Sequence, residues 1–146
     1  MSCPKSAQNK LMVKEFSYVS NSSYDHAQGN KEPHPGAGVL LFASDCLGSG
    51  DEDLGRVLIA TFIDTLAQAD PRPYRMIFVN SGVLLTAKGS RTLNTLQQLE
   101  KAGVDISCCG TCVNHYGLND KLKVGRITNM YDIVTCLLNS DKVVRV

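Results

Sequence analysis

The chain has 146 residues, of which 43% are hydrophobic and 20% charged, and its formal net charge at pH 7 is +1. This length fits one domain, and the composition is typical of a globular protein. Both signs of charge are mixed along the chain, so there is no clustered basic footprint for nucleic acid and no polybasic patch for a membrane surface. The longest mainly apolar run, GAGVLLFAS at residues 36–44, is far too short to span a bilayer. We therefore expect neither nucleic acid nor a membrane among the partners.

The first 36 residues predict a flexible tail or linker rather than a folded domain. The segment SNSSYDHAQGNKEPHPGAG is rich in Ser, Asn, Gly, Pro and His and has almost nothing to bury. The start, MSCPKSAQNKLMVKEF, lacks the hydrophobic core of a signal peptide. We therefore expect a cytoplasmic protein whose six cysteines are reduced, which makes a disulfide scaffold the least favoured role for them.

From residue 37 onward, strand and helix patterns alternate. GVLLFASD (residues 38–45) is a continuous apolar run typical of a buried strand. GSGDEDLG then opens a helix in which Leu54, Val57, Leu58, Phe62 and Leu66 keep helical spacing, and which ends before Pro71. The acidic residues 51–53 suit the positive end of that helix, and they argue against a phosphate loop there. YRMIFVN (74–80) is predicted to be the second strand, and SGVLLTAKGS (81–90) a loop or short element.

The rest of the chain continues the alternation. A helix is predicted over 91–102, with Ser90 as its N-cap and Gly103 just after its end, followed by the short strand VDIS at 104–107. Asn129 is expected to cap a third helix, MYDIVTCLLNS, and KVVRV forms the last strand. This pattern predicts a three-layer α/β domain over residues 37–146, with an open, mainly parallel sheet and helices on both faces.

Polar and reactive residues follow the predicted strands at the points where they end. The first strand ends near Asp45 and Cys46, the second at Asn80 and Ser81, and the third at Ser107, directly before the remaining cysteines. Ligands in such sheets collect outside the carboxyl ends of the strands. We therefore expect these residues to line one functional edge.

The cysteine-rich stretch SCCGTCVNHYG is predicted to be a loop at that edge, carrying Cys108, Cys109 and Cys112. A structural zinc site usually needs four ligands. The stretch offers one Cys-x-x-Cys pair and His115, and Cys46 would have to come from a distant loop. Zinc is therefore the second-ranked interpretation. Cys108 is expected to be a small buried residue, as is Cys136.

A reactive thiol is the interpretation that the cysteine-rich stretch favours most. Thiolates rather than thiols react, and a nearby helix start or cation lowers a cysteine pKa. Gly110 and Thr111 leave the backbone free to turn its N–H groups toward a sulfur anion. His115 is a candidate proton partner. Cys109 and Cys112 are therefore the candidate catalytic residues.

Four segments in order carry a resemblance to a known family: FASDCLGSGDEDLG, MIFVNSGVLL, LEKAGVDISCCGTCVNHYGLNDKLKVG and RITNMYDIVTCLLNSDKVVRV. They closely resemble the DsrE-like domain of the YedF family. Members of that family are sulfurtransferase-like proteins associated with selenium metabolism. The resemblance covers roughly residues 38–146. It implies a three-layer domain of the DsrE, TusD and YchN type, assembled as a homo-oligomer, either a trimer or a hexamer.

The resemblance also implies a chemistry for the cysteine-rich stretch. Members of the wider superfamily carry sulfur as a persulfide on a cysteine in the corresponding loop, and the Cys-Gly-Thr-Cys motif of YedF-like proteins falls on Cys109, Gly110, Thr111 and Cys112. Typical YedF proteins also have an N-terminal domain like the sulfur carrier TusA. Residues 1–36 are too short for such a domain, although SCPKS is similar to its Cys-Pro motif. A TusA-like carrier, or another thiol protein, is therefore expected to act in trans. Cys46 is not an expected family cysteine and is interpreted as incidental or as a resolving thiol.

Two hypotheses follow from the sequence. In the first, the protein is a cytoplasmic sulfurtransferase that relays persulfide sulfur, or selenium, without a cofactor. Cys109 is preferred as the carrier over Cys112, and the other cysteine is the resolving thiol. In the second, the protein is a non-enzymatic oligomeric module that uses the same cysteine loop to bind a metal, a small ligand or a partner domain.

Overall fold

Five strands and four α-helices follow one another along residues 38–146, which are the residues that the computed structural model describes. The strands are β1 (Val39–Phe42), β2 (Arg75–Phe78), β3 (Asp105–Cys109), β4 (Arg126–Thr128) and β5 (Val143–Arg145). The helices are α1 (Glu52–Leu66), α2 (Leu93–Lys101), α3 (Gly110–His115) and α4 (Met130–Leu138), and a 3₁₀ helix spans Asn80–Thr86. The predicted tail, residues 1–36, lies outside the described residues.

All five strands belong to one parallel sheet with the order β4-β3-β2-β1-β5. The chain moves outward from β1 through β2 and β3 to β4, and then returns to place β5 on the other side of β1. Right-handed crossovers in opposite directions put helices on opposite faces of the sheet. The predicted fold class, a three-layer α/β domain with a parallel sheet, is confirmed.

Two hydrophobic cores lie on the two faces of the sheet. The core under α1 and α2 buries alternate strand residues, among them Leu40, Phe42, Met76, Phe78, Ile106 and Cys108. The smaller core under α4 contains Val39, Ile77, Cys109 and Ile133. At the carboxyl ends of β1 and β2, the rings of Phe42 and Phe78 stack with their centroids 4.7 Å apart. This stacking packs the ends of β1 and β2 together directly before the residues that follow them.

The buried face of α1 differs from the expected set. Ile59 and Ile63 are fully buried, whereas Leu54, one of the residues that the helical spacing indicated, is 55% exposed. Val57 and Leu58 are exposed as well. The close approach of Gly55 to Cys46 fixes this rotation, because a Cβ on residue 55 would lie 2.9 Å from the Cys46 Cβ.

The ends of the later helices agree with the sequence in part. Asn129 caps α4 as predicted, its side chain accepting the Asp132 N–H at 2.9 Å, and Gly103 follows α2 with a φ of 100°. The α2 helix begins at Leu93 with Thr92 at the N-cap position, two residues after the predicted cap Ser90. The Ser90 hydroxyl still accepts a backbone N–H of the preceding turn, that of Thr92, at 3.3 Å. The Thr92 hydroxyl donates to the buried Leu85 carbonyl at 2.8 Å.

No helix within residues 38–146 is both long enough and apolar enough to cross a bilayer.

Candidate functional site

The end of β3 lies two residues later than the sequence predicted. Cys108 and Cys109 are the last residues of the strand rather than part of a loop, and Cys112 lies in the short helix α3 that follows. The strand continues because it pairs with β4, with Cys108 opposite Ile127 and Cys109 opposite Thr128. The sequence interpretation had not identified β4, so it ended β3 too early.

The two strand cysteines face opposite sides of the sheet. Cys108 is fully buried in the α1–α2 core, 3.5 Å from the Thr86 hydroxyl, and this burial raises its pKa to about 11. Such a thiol is not reactive at neutral pH. Cys109 faces α4, is 1% exposed and packs in the smaller core with Ile77 and Ile133.

Cys112 is the half-buried thiol of the cluster. It packs against both cores, and its sulfur accepts the backbone N–H of Asn80 at 3.0 Å. The pKa of Cys112 is raised overall, first by partial burial and also by the neighbouring Cys109 thiol, whereas the bond from Asn80 opposes this rise. The Asn80 N–H is therefore a donor aimed at the form of Cys112 that reacts, the thiolate.

The backbone of Asn80 makes that hydrogen bond possible. Its φ is 49°, and among residues 38–146 it is the one residue other than glycine with a positive φ. Asparagine tolerates the left-handed region better than most residues, although the conformation still carries strain. Its side-chain oxygen accepts the Tyr116 hydroxyl at 3.2 Å, which connects Asn80 to the residue after α3.

Backbone contacts join the ends of β1 and β2 beside this site. The Asp45 N–H donates to the Ser81 hydroxyl at 3.2 Å, and the Val79 N–H donates to the Phe42 carbonyl at 2.9 Å. The backbone after β2 passes so close to the end of β1 that only glycine fits at residue 82, because a Cβ there would lie 2.4 Å from the Phe42 oxygen. The structure thus brings the ends of three strands together, as their parallel arrangement predicted.

The other cysteine at this edge, Cys46, packs against the start of α1. Its sulfur lies 3.6 Å from the Glu52 carbonyl. Partial burial, followed by the negative charge of Asp45, raises the pKa of Cys46. Asp45 also pairs with Arg56, whose Nε lies 3.6 Å from its carboxylate. Cys46 is therefore held by α1 and lies beside a carboxylate whose charge opposes formation of its thiolate, whereas Cys112 accepts a backbone N–H.

Three further residues of the predicted site lie on α3. Gly110 is half-buried, and a Cβ there would lie 3.0 Å from the Ile127 side chain. Thr111 is exposed. His115 is exposed in the last turn of α3, where its ring meets the Tyr116 ring edge-on at 5.0 Å. Within the described part of the chain, no group of three or more His, Cys, Asp or Glu side chains is arranged to hold a metal ion.

Sequence reasoning missed two contributors to this site. Tyr116 was quoted within the cysteine-rich stretch, but nothing in its spacing indicated a bond to Asn80 across α3. Gly82 lies in the segment predicted only as a loop or short element, although a glycine two residues after an expected strand end is a signal of close backbone approach.

Comparison with known proteins identifies a family for the chain and structures of similar fold. Residues 49–146 match the DsrE/DsrF-like family. No curated protein matches the chain significantly. Among solved structures, the YchN protein from E. coli is similar with a TM-score of 0.54 and 18% identity, covering 75% of this chain and 99% of YchN.

Two similar structures are proteins of unknown function. MTH1491 from Methanobacterium thermoautotrophicum has a TM-score of 0.51 and 19% identity, covering 74% of this chain and 96% of its own. BT1422 from Bacteroides thetaiotaomicron has a TM-score of 0.53 and 14% identity, covering 74% and 93%. At these identities the three structures share the fold with this chain, and the shared fold alone assigns no activity.

Proposed function

Because the chain belongs to the DsrE/DsrF-like family, we propose that it relays sulfur as a persulfide on Cys112. One observation carries the proposal: a half-buried thiol at the carboxyl edge of the sheet accepts a backbone N–H at 3.0 Å, from a residue held in a left-handed conformation. Backbone strain of this kind concentrates at functional sites. The resemblance of the Cys-Gly-Thr-Cys motif to that of YedF proteins supports the same chemistry.

Burial favours Cys112 over Cys109 as the carrier, which reverses the preference drawn from the sequence. Cys109 is 1% exposed, so neither the persulfide of a donor protein nor an acceptor thiol reaches its sulfur directly. Cys112 is half-buried, so it is more accessible to a donor than Cys109 and still packs against both cores. A carried persulfide needs both features, since it must be loaded from outside and held away from bulk solvent.

Two exchange steps make up the proposed relay. The Cys112 thiolate attacks the outer sulfur of a donor persulfide, forming Cys112–S–SH and releasing the donor as a thiol. An acceptor thiolate then attacks that outer sulfur, and Cys112 leaves as a thiolate. The Asn80 N–H stabilises the sulfur anion of Cys112 before loading and again as it leaves.

The partners in this proposal are thiol proteins and further copies of the chain. The donor or acceptor is a TusA-like carrier or another thiol protein acting in trans in the cytoplasm, and selenium is an alternative cargo for the same thiol. The proposed YedF-type assembly is a homo-oligomer, a trimer or a hexamer. The exposed apolar side chains of α4, such as Tyr131 and Leu138, support such an assembly.

A binding module that performs no turnover is the alternative function. In that case the same edge would hold a ligand or partner domain, and the thiols of Cys109 and Cys112 would not exchange sulfur. The apolar surface of α4 would serve this function equally well. The metal version gains no support from the described residues, in which no metal-binding group of side chains is arranged.

Persulfide loading tests the proposal. The reduced protein is incubated with glutathione persulfide, freed of donor, and analysed by intact mass and peptide mapping. We expect a gain of one sulfur atom on Cys112, removable by a reductant. Cys112→Ser should abolish loading, whereas the control Cys46→Ser should load like the wild type. Equal loading of Cys112→Ser and the wild type would exclude Cys112 as the carrier.

A further inference from the structure

The two thiols of the Cys-Gly-Thr-Cys motif lie close together in the chain but differ in position and in burial. Cys109 is the last residue of β3 and the N-cap position of α3, and Cys112 is the third residue of that helix. The two thiols pack in the same small core, three positions apart at the start of α3, and Cys109 contributes to the raised pKa of Cys112. Residues three apart at a helix start are close enough for a disulfide once their side chains turn toward each other.

The surroundings of Cys109 restrict what it can react with. On the α4 side, Ile133 and Ile77 pack with it, and 1% of it is exposed. An external thiol or disulfide therefore has no direct route to its sulfur. The sulfur of the neighbouring Cys112 is within its reach. When Cys112 carries a persulfide, that sulfur becomes part of an S–S bond, which a thiolate can attack.

We infer that Cys109 discharges the persulfide on Cys112 by attacking its inner sulfur, which releases sulfide and leaves a Cys109–Cys112 disulfide. This inference rests on the proposed function, because it needs a persulfide on Cys112. The Cys109 Sγ–Cys112 Sγ bond forms as the bond between Cys112 Sγ and the outer sulfur breaks. The outer sulfur leaves as hydrosulfide, and the proton lost from Cys109 passes to solvent or to hydrosulfide.

The electrons balance within the pair. Two electrons reduce the carried sulfur to sulfide, and both come from the two thiols as they join in a disulfide. The oxidised pair then needs a dithiol reductant, either a small dithiol or a protein dithiol, to restore Cys109 and Cys112 for another cycle. Cys112 is the half-buried member and the one that such a reductant attacks first.

This step would set the fate of the sulfur. When an acceptor thiol is bound, the outer sulfur passes to it and Cys109 remains reduced. Without an acceptor, the internal attack proceeds at a rate that does not depend on protein concentration, because both reactants are held in one chain. The site would then act as a persulfide reductase as well as a carrier.

Sulfide release from preloaded protein tests the inference. The wild type is loaded with glutathione persulfide, freed of donor and reductant, and followed for sulfide and for intact mass. We expect first-order release of one sulfide for each disulfide formed. In Cys109→Ser, Cys112 should load normally, but sulfide release should fall at least about tenfold and no intramolecular disulfide should form.

Matched variants separate the possible outcomes. Cys109→Ala is a second test variant in case serine disturbs the core, and Cys108→Ala, one residue away on the opposite face, should release sulfide like the wild type. Circular dichroism verifies that each variant is folded. A wild type that loads and keeps its sulfur, or a Cys109→Ser variant that releases it at the wild-type rate, overturns this inference alone. If Cys109→Ser takes up no sulfur and the wild type gains neither a sulfur atom nor an intramolecular disulfide, the proposed function is overturned together with this inference.

Discussion

At the end of β2, Asn80 adopts a φ of 49° and donates its N–H to the sulfur of Cys112. The bond depends on the backbone conformation rather than on the amide side chain, whose oxygen accepts the Tyr116 hydroxyl instead. Residue 80 must therefore tolerate the left-handed region. Asparagine and glycine do so readily, whereas alanine pays a steric penalty of roughly 1–2 kcal/mol.

Two substitutions at residue 80 should separate the backbone contribution from that of the side chain. Asn80→Gly keeps the conformation and the N–H donor, so we expect persulfide loading near the wild-type rate. Asn80→Ala should lower the free energy of unfolding by about 1 kcal/mol and slow loading, because relaxation of φ moves the N–H away from Cys112. Urea denaturation and loading rates at a fixed pH measure both effects. Tyr116→Phe controls for loss of the hydroxyl contact, and equal slowing in the glycine and alanine variants would contradict the argument.

At this scale the sequence predicted the location of the site better than its geometry. Asn80, Ser81 and the cysteine pair were expected at one edge because parallel strands end at the same side of a sheet. The left-handed turn at Asn80 was not predictable, since it depends on how the 3₁₀ helix crosses the end of β1. That crossing is a long-range contact with no local sequence pattern.

Among the elements, α4 is apolar on almost every side. Ile133 is buried against the sheet, yet Met130, Tyr131, Val134 and Leu138 are between 44% and 81% exposed. A helix that is hydrophobic all round is usually buried. A second copy of the chain, offering the same apolar face, is the occupant that we propose for this surface.

The oligomeric state tests this role of α4. We expect Leu138→Glu to shift the assembly toward the monomer, because the new carboxylate would lose its hydration in an apolar interface. Light scattering after gel filtration at several protein concentrations gives the mass. Leu54→Glu, on the exposed side of α1, should leave the mass unchanged. A wild type that is monomeric at every concentration would contradict the proposal, as would a Leu138→Glu variant of wild-type mass.

The elements that were missed share one physical cause. β4 has three residues and α3 six, so neither is long enough to show a period of its own. β4 is a strand because it pairs with the end of β3, and that pairing in turn extends β3 through Cys109. The burial of Cys109, which decides its role in our proposals, therefore followed from a contact that no local pattern encoded.

For the molecule as a whole, the buried thiol of Cys108 couples folding to pH. Burial raises its pKa from 9.0 to about 11, so the thiol stays protonated in the folded state at a pH where the unfolded chain has already lost the proton. The unfolded state then binds fewer protons, and the free energy of unfolding falls as pH rises. The stabilisation is complete below pH 9 and is lost as pH rises toward 11.

Unfolding experiments across this pH window measure the coupling. Between pH 9 and 11 the wild type should lose about 2 kcal/mol more than Cys108→Ala, following the shift of Cys108. The variant also loses stability from the cavity it creates, but that loss does not change with pH, so the comparison is between slopes. Parallel pH profiles for the two proteins would show that Cys108 does not ionise on unfolding.

The architecture of the whole molecule was predictable because it depends on alternation and hydrophobic periodicity, which are local. The strand order was not, since nothing within a crossover segment says whether the next strand is added beside its predecessor or on the far side of β1. The last crossover reverses direction, and among residues 38–146 it makes α4 the one helix that packs mainly on its face of the sheet.

The hydrogen bond from residue 80 to Cys112 has an evolutionary consequence. Every amino acid except proline has the N–H that makes it, so descendants can exchange the side chain at this position while keeping the donor, provided that the backbone still turns left-handed. The support for the thiol is then inherited as a path of the main chain rather than as a residue type. A main-chain path of this kind can persist in a fold even where sequence identity is low, because it does not depend on which side chain stands at residue 80.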